Sequence, residues 1–330
     1  MTTTAFERRP AAGLARVVAV INGKGGVYKS SICSSVGGLA AEAGWRVGLI
    51  DFDIQGNLAE DLGLNDITDE GEHQLDVIPG GKPFEFKPTG RERLEIIPGG
   101  PILEDLAAVM QGRQSRDPEW MHALANSIAA VEEDYDLILI DCPPGFPILQ
   151  TLALVAARYV IIPTRSDAGS RKGMRMVARR FTNARAYNPD LELLGVVRTG
   201  ITSSAKGIRE EVRKEIAEDL GGAAPVFETC IRYAERPAKA VRDTGKLPHE
   251  LEPEAEAWFK DRFARMKERR AREAVEKAAS KPGSHRADPR LEAEIVFAPS
   301  TSGLAQDYAE LTQEFVDLLH AAEERAEETA

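Results

Sequence analysis

Cysteine is scarce in this chain: three in 330 residues, at Cys33, Cys142 and Cys230, with no CxxC spacing. That scarcity argues against a zinc site or a disulfide framework and fits a reducing, cytoplasmic compartment. Long apolar runs are missing too; none approaches the roughly 20 residues of a membrane span. The opening MTTTAFERRPAAG has no apolar h-region, so no secretory signal is expected. His73, His122, His249, His285 and His320 form no recognisable cluster, and no internal repeat is visible. Positive charge is also short: 42 Lys and Arg against 53 Asp and Glu, a net charge of -11. Taken alone, that sum speaks against a nucleic-acid partner. Its distribution speaks the other way. Residues 158–246 hold 18 Lys and Arg against 11 Asp and Glu, a local +7, so the remainder stands at −18.

The remaining composition is that of a globular protein. RVVAVIN (16–22), RVGLIDFD (46–53), LEIIPGG (94–100) and DLILID (136–141) are short apolar runs that end at glycine, aspartate or proline, the mark of buried strands. SSICSSVGGLAAEAG (30–44) has helical spacing and a glycine at its end. The spacing predicts further helices near 117–133, 148–157, 169–187 and 206–219, with strands at 158–163 and 193–198. Apolar strands separated by helices imply an α/β fold, a doubly wound and mostly parallel sheet covered on both faces. Residues 1–15 read as a flexible tail, 16–250 as the main domain and 251–300 as a helical insertion with a mobile loop. A final helix over 301–330 packs on the domain through Leu304, Tyr308, Leu311, Phe315, Leu318 and Leu319. The insertion holds a charged helix, 253–279, whose second half is polar all round.

Between the first strand and the first helix lies Gly23-Lys24-Gly25-Gly26-Val27-Tyr28-Lys29-Ser30, followed by Ser31. In that context backbone N–H groups and a helix N-terminus face a polyanion. Lys29 reaches β and γ phosphates and the Ser30 hydroxyl suits Mg²⁺, making this a nucleoside-triphosphate loop, with ATP the expected nucleotide. Asp141 ends its strand before Pro143-Pro144-Gly145 and suits a hold on the metal. Asp51 and Asp53 end another strand beside the phosphates, where they can orient an attacking water and its metal shell. Carboxylates at the carboxyl ends of adjacent parallel strands favour a site over simple caps.

These residues carry a resemblance. Lys24-Gly25-Gly26-x-x-Lys29-Ser30 resembles the deviant Walker A motif, Asp51-Phe52-Asp53-Ile54-Gln55-Gly56-Asn57 the Walker A′ segment, and Leu139-Ile140-Asp141-Cys142-Pro143-Pro144 the Walker B strand of the ParA/MinD family of ATPases, closest to ParA-type partition proteins. The resemblance spans roughly residues 14–250 and the last helix. It implies a nucleotide-sandwich homodimer formed on ATP and Mg²⁺, in which Lys24 reaches the partner's phosphates. Asp53 polarises water with Asp51 assisting, and Asp53–Asn57 senses the γ-phosphate. It also implies slow hydrolysis triggered by a ParB-like centromere-binding partner, with nonspecific double-stranded DNA as the track and a nucleoid-associated location. Tyr28 departs from the usual glycine; a positive φ there costs a non-glycine residue roughly 1–2 kcal/mol. Ile54 stands where proline is usual.

Two basic groups are candidates for phosphate contact: Arg171, Lys172, Arg175, Arg179, Arg180 and Arg185 in one, Arg232, Arg236, Lys239, Arg242 and Lys246 in the other. Such contacts give salt-sensitive, sequence-blind affinity. Only about 15 residues precede the first strand, so no helix-turn-helix domain and no operator-specific binding are expected. The acidic ending HAAEERAEETA does not suit a membrane, unlike the basic amphipathic C-terminal helix of the MinD branch. The iron-protein and cluster-carrier branches need positioned cysteines that this chain lacks. The alternative is an ATP-binding scaffold for a non-DNA cargo with little hydrolysis; a metabolic ligase of the same fold leaves Lys24 without a job.

Overall fold

In the computed structural model, residues 16–165, 167–201, 225–251 and 301–329 are described. Eight strands form one sheet in the order β3-β4-β2-β5-β1-β6-β7-β8. They are β1 (Val17–Val20), β2 (Val47–Asp51), β3 (Lys87–Pro88), β4 (Leu94–Ile97), β5 (Leu137–Asp141), β6 (Tyr159–Thr164), β7 (Glu192–Ile201) and β8 (Val226–Arg232). All neighbours run parallel except β3, a two-residue antiparallel edge on β4. The four residues of β1, Val17 to Val20, are at most 1% exposed, as a strand covered on both faces must be.

Two apolar layers cover the sheet. One face carries α3 (Glu72–Val77), α4 (Leu103–Arg113), α5 (Ala123–Ala129), α6 (Pro147–Ala156) and α7 (Ala168–Ala184), with Ile50, Leu106, Leu124, Leu152, Met174 and Val177 in one cluster. The other carries α1 (Lys29–Glu42), α2 (Asn57–Asp61) and the C-terminal α9 (Thr301–Thr329), with Ile32, Val36, Leu58, Tyr308, Leu311 and Phe315 in the second. Helix α8 (Glu235–Thr244) follows β8.

Several boundaries differ from the sequence reading, each for a physical reason. The helix expected near 117–133 is shorter. Trp120 and Met121 turn into the core through a single 3₁₀ turn, and the α-helix proper is 123–129. The run 94–100 stops being strand at Ile97, because Gly99 and Gly100 lie against other backbone where no side chain fits. Helix α4 occupies 103–113, where Leu103, Leu106 and Met110 recur at helical spacing and are fully buried. Strand β8 at 226–232 was also not among the expected elements. The tail 1–15, the helix expected at 206–219 and the insertion helix 253–279 lie outside the described residues.

Candidate active site

The register of three strands builds the site. Val20 on β1 and Asp51 on β2 both pair with Asp141 on β5, so these three residues stand side by side at the carboxyl edge. The loop 23–28 leaves β1 at that edge and enters α1 at Lys29. Three contacts fix its path. Asn22, fully buried, donates from Nδ2 to the Pro163 carbonyl at 2.8 Å and accepts the Lys24 N–H at 2.9 Å. Gly23 lies against Gly173 of α7, where an added Cβ would stand 3.1 Å from a backbone oxygen. Thr199 donates to the Val27 carbonyl at 3.3 Å. Gly26 and Tyr28 take the left-handed conformation, with φ of 69° and 71°. Tyr28 therefore bears the cost its sequence position raised, and its half-buried ring packs on the α1/α9 core as compensation.

Lys29 is 5% exposed and is the cation among the buried acids. Asp141 is fully buried, and burial pushes its carboxyl up to about 7 against the pull of Lys29, with the Ser30 side chain alongside. Among the described residues, neither Asp141 carboxylate oxygen has a hydrogen-bond partner of normal geometry. A buried, unpartnered carboxylate costs free energy, and a divalent cation held with Ser30 would offset that cost, so the residues fit Mg²⁺. Asp51 differs. Its Oδ1 accepts the Asp53 N–H and its Oδ2 the Leu58 N–H, each at 3.1 Å. Burial and the neighbouring Asp141 push its carboxyl well above the usual range. Those bonds commit Asp51 to holding the 53–58 segment. Asp53 is 3% exposed; burial raises its carboxyl while the Gln55 N–H and Lys29 oppose the rise.

Lys24 sits at the mouth of the loop. Its Nζ lies 2.5 Å from Asp167 Oδ1, and both side chains are about two-fifths exposed. Asp167 caps α7, accepting the Ser170 N–H at 3.0 Å, and Lys24 holds its carboxyl well below the usual range. Asp167→Ala removes the cap and the counter-ion together. It should lower Tm by about 2–4 °C, the effect of a cap worth about 1 kcal/mol, as read by thermal unfolding.

A family model described as an AAA domain matches residues 15–193. Chromosome partitioning protein ParA of Caulobacter vibrioides is 30% identical over 228 residues, 68% of this chain and 84% of that protein. The chain belongs to the ParA/MinD family of ATPases. Sporulation initiation inhibitor protein Soj of Bacillus subtilis is 29% identical over 238 residues, 68% of this chain and 88% of the relative. A crystal structure of cobyrinic acid a,c-diamide synthase from Mycobacterium smegmatis with bound ADP and magnesium shares 30% identity. It covers 70% of this chain and 92% of that one, with a TM-score of 0.58.

Within this ParA/MinD member the basic candidates separate. Lys172, Arg175 and Arg179 share an exposed face of α7. Arg180 leaves that face and donates to the Gln150 side-chain oxygen. On the second group Arg236 and Lys239 are exposed. Arg232 is bound twice by Asp307 of α9, at 2.7 Å through each of two nitrogens, a joint between β8 and the last helix. Arg242 stands 3.7 Å from Asp61. The side chain of Arg171 lies outside what is described. The groups occupy opposite faces of the sheet, since α7 packs in one core and the residues flanking α8, Ala234 and Leu247, in the other.

Sequence reasoning missed Asn22, Asp167 and Gln74. Gln74 is buried and donates to the Asp51 and Pro98 carbonyls at 2.7 and 2.8 Å, fastening the end of β2 from beneath. None belongs to a contiguous motif; only the position of Asn22 directly before the glycine loop gave a local signal.

Proposed function

We propose that this ATPase is an ATP- and Mg²⁺-dependent dimerising switch. It binds double-stranded DNA nonspecifically and hydrolyses ATP slowly, segregating or positioning plasmid, phage or chromosomal DNA with a ParB-like centromere-binding activator. The observation that carries this reading is Lys24. Its ammonium stands at the rim of its own loop, paired with an exposed carboxylate. A second copy offering phosphates there would let Lys24 exchange Asp167 for the charge that develops at a γ-phosphate. Lys29 and the N–H groups of the loop hold the phosphates, Ser30 and Asp141 the metal, and Asp53 the attacking water, with Asp51 keeping the 53–58 segment in place. The activity named for the mycobacterial neighbour gives Lys24 no such task, so the reading here is a dimer and not a ligase. The location that follows is cytoplasmic and nucleoid-associated.

Support for DNA comes from α7, whose cap is the partner of Lys24 and whose exposed face carries Lys172, Arg175 and Arg179. Arg175→Glu with Arg179→Glu should weaken ATP-dependent DNA binding by at least about tenfold at low salt, since several phosphate contacts are lost; a filter-binding assay checks it. The deciding experiment is ATPase rate with and without nonspecific duplex at low and high salt. DNA stimulation that fades with salt supports the reading. No response at either salt favours the scaffold for a non-DNA cargo, which the internal engagement of Arg180, Arg232 and Arg242 also favours.

A further inference from the structure

Helix α2 has only five residues, and both of its ends are occupied. At its start the Leu58 N–H is held by Asp51 at 3.1 Å, directly beside Asp53. At its last residue, Asp61 is 3% exposed and lies between two other elements. Ser31, one residue past the loop, donates to Asp61 Oδ2 at 3.4 Å, and Arg242 Nε of α8 stands 3.7 Å from Oδ1. Burial pushes the Asp61 carboxyl up to about 6, with Arg242 the main influence opposing the rise.

Just beyond, the backbones themselves meet. Gly63 and Gly245 have φ of 74° and 65°, and a Cβ on Gly63 would lie 2.9 Å from the Gly245 Cα. Only glycine gives both the turn and the approach at these two positions. Arg91 secures the meeting point, donating to the Leu62 carbonyl at 3.0 Å, to the Gly245 carbonyl at 2.7 Å and to the Glu250 carboxylate at 2.7 and 2.8 Å.

We infer that α2 is the link between the nucleotide site and α8, with Asp61 the positioning residue that sets where Arg242 and the rest of that helix lie. The 53–58 segment cannot shift without moving α2, because Asp51 grips its first turn. Nor can α2 shift far without α8, because the glycine contact leaves no free space between them. Arg91 ties the Leu62 and Gly245 carbonyls to one guanidinium, so a displacement of α2 is passed on to α8. The Arg242 side chain is 56% exposed, so it has room to follow. The link rests on the ATPase assignment alone; only its consequence for DNA rests on the proposed function.

Hydrogen exchange of the 235–244 segment in the full chain tests this, comparing Mg²⁺ with a non-hydrolysable ATP analogue against Mg²⁺ with ADP. In the unaltered protein the exchange of α8 should differ between the two states. In Asp61→Asn, which keeps the shape, and separately in Gly63→Ala, analogue affinity should stay within about threefold while the difference at α8 falls below about a third of its original size. A purely structural role would raise α8 exchange equally in both states and leave the difference intact. Identical α8 exchange in both states of the unaltered protein overturns the inference, as does a full-sized difference in both variants. DNA affinity forms a second arm. The analogue-over-ADP ratio, about 5–150-fold for coupling of usual strength, should fall in Asp61→Asn by the share that the exposed Arg236 and Lys239 of α8 contribute, with the α7 share retained. An α8 response in a protein that binds no DNA leaves the link standing and removes the DNA reading.

Discussion

Lys29→Ala should reduce ATP turnover by at least about 10²–10³-fold, the loss seen when one preorganised donor to a developing charge is removed. The reason is its placement. Lys29 opens α1 at the carboxyl edge of the sheet, is 5% exposed, and is the cation that opposes the rise in the Asp141 and Asp53 carboxyls. Without it three buried acids face an incoming polyanion alone. Binding should therefore weaken along with the rate, and calorimetric titration with ATP beside a steady-state assay separates the two. Turnover within about threefold of the unaltered protein would contradict this placement.

Asp53→Ala should leave ATP affinity nearly unchanged and lower turnover by about 10²–10⁴-fold, the range for a general base or water-positioning group. Asp53 differs from Asp51 in what its oxygens already do. Both oxygens of Asp51 accept backbone N–H groups, whereas among the described residues only Oδ1 of Asp53 does so, from Gln55 at 3.1 Å. Asp53 thus keeps an oxygen available beside the loop. Because the loop and Asp141 are untouched, the variant should load nucleotide and stop there, holding the ATP-bound state. Single-turnover kinetics with a parallel binding titration reads this split. Equal losses in affinity and rate would place Asp53 in nucleotide binding instead.

Much of this site is legible in the sequence alone, because its key residues sit in contiguous segments: 23–31, 51–57 and 139–144. Strand-end aspartates and a glycine loop between strand and helix are local patterns, and β1, β2 and β5 lie where the apolar runs place them. What the sequence conceals are contacts made across the fold. Asp167 is 143 residues from Lys24, and nothing around it marks it as a counter-ion. Asp61 and Arg242 belong to elements separated by six strands, and Gly63 and Gly245 look in sequence like ordinary helix ends. Charge counting likewise could not tell Arg179, which faces outward, from Arg232, which is bound by Asp307. Helix α4 follows closely on Pro98-Gly99-Gly100-Pro101, turn-forming residues that mask the helical spacing of Leu103, Leu106 and Met110. Asp117-Pro118, by contrast, looks like a helix start and leads into a 3₁₀ turn.

The central claim is that ATP turns this chain into a DNA-binding form. Fluorescence anisotropy of a labelled duplex of arbitrary sequence tests it most directly, titrated with the full chain in Mg²⁺-ATP and in Mg²⁺-ADP at about 50 and 200 mM salt. The ATP form should bind at least about tenfold more tightly than the ADP form, and its affinity should fall steeply between the two salt concentrations without regard to sequence. Equal affinity in both nucleotide states, or binding that ignores salt, would contradict the account.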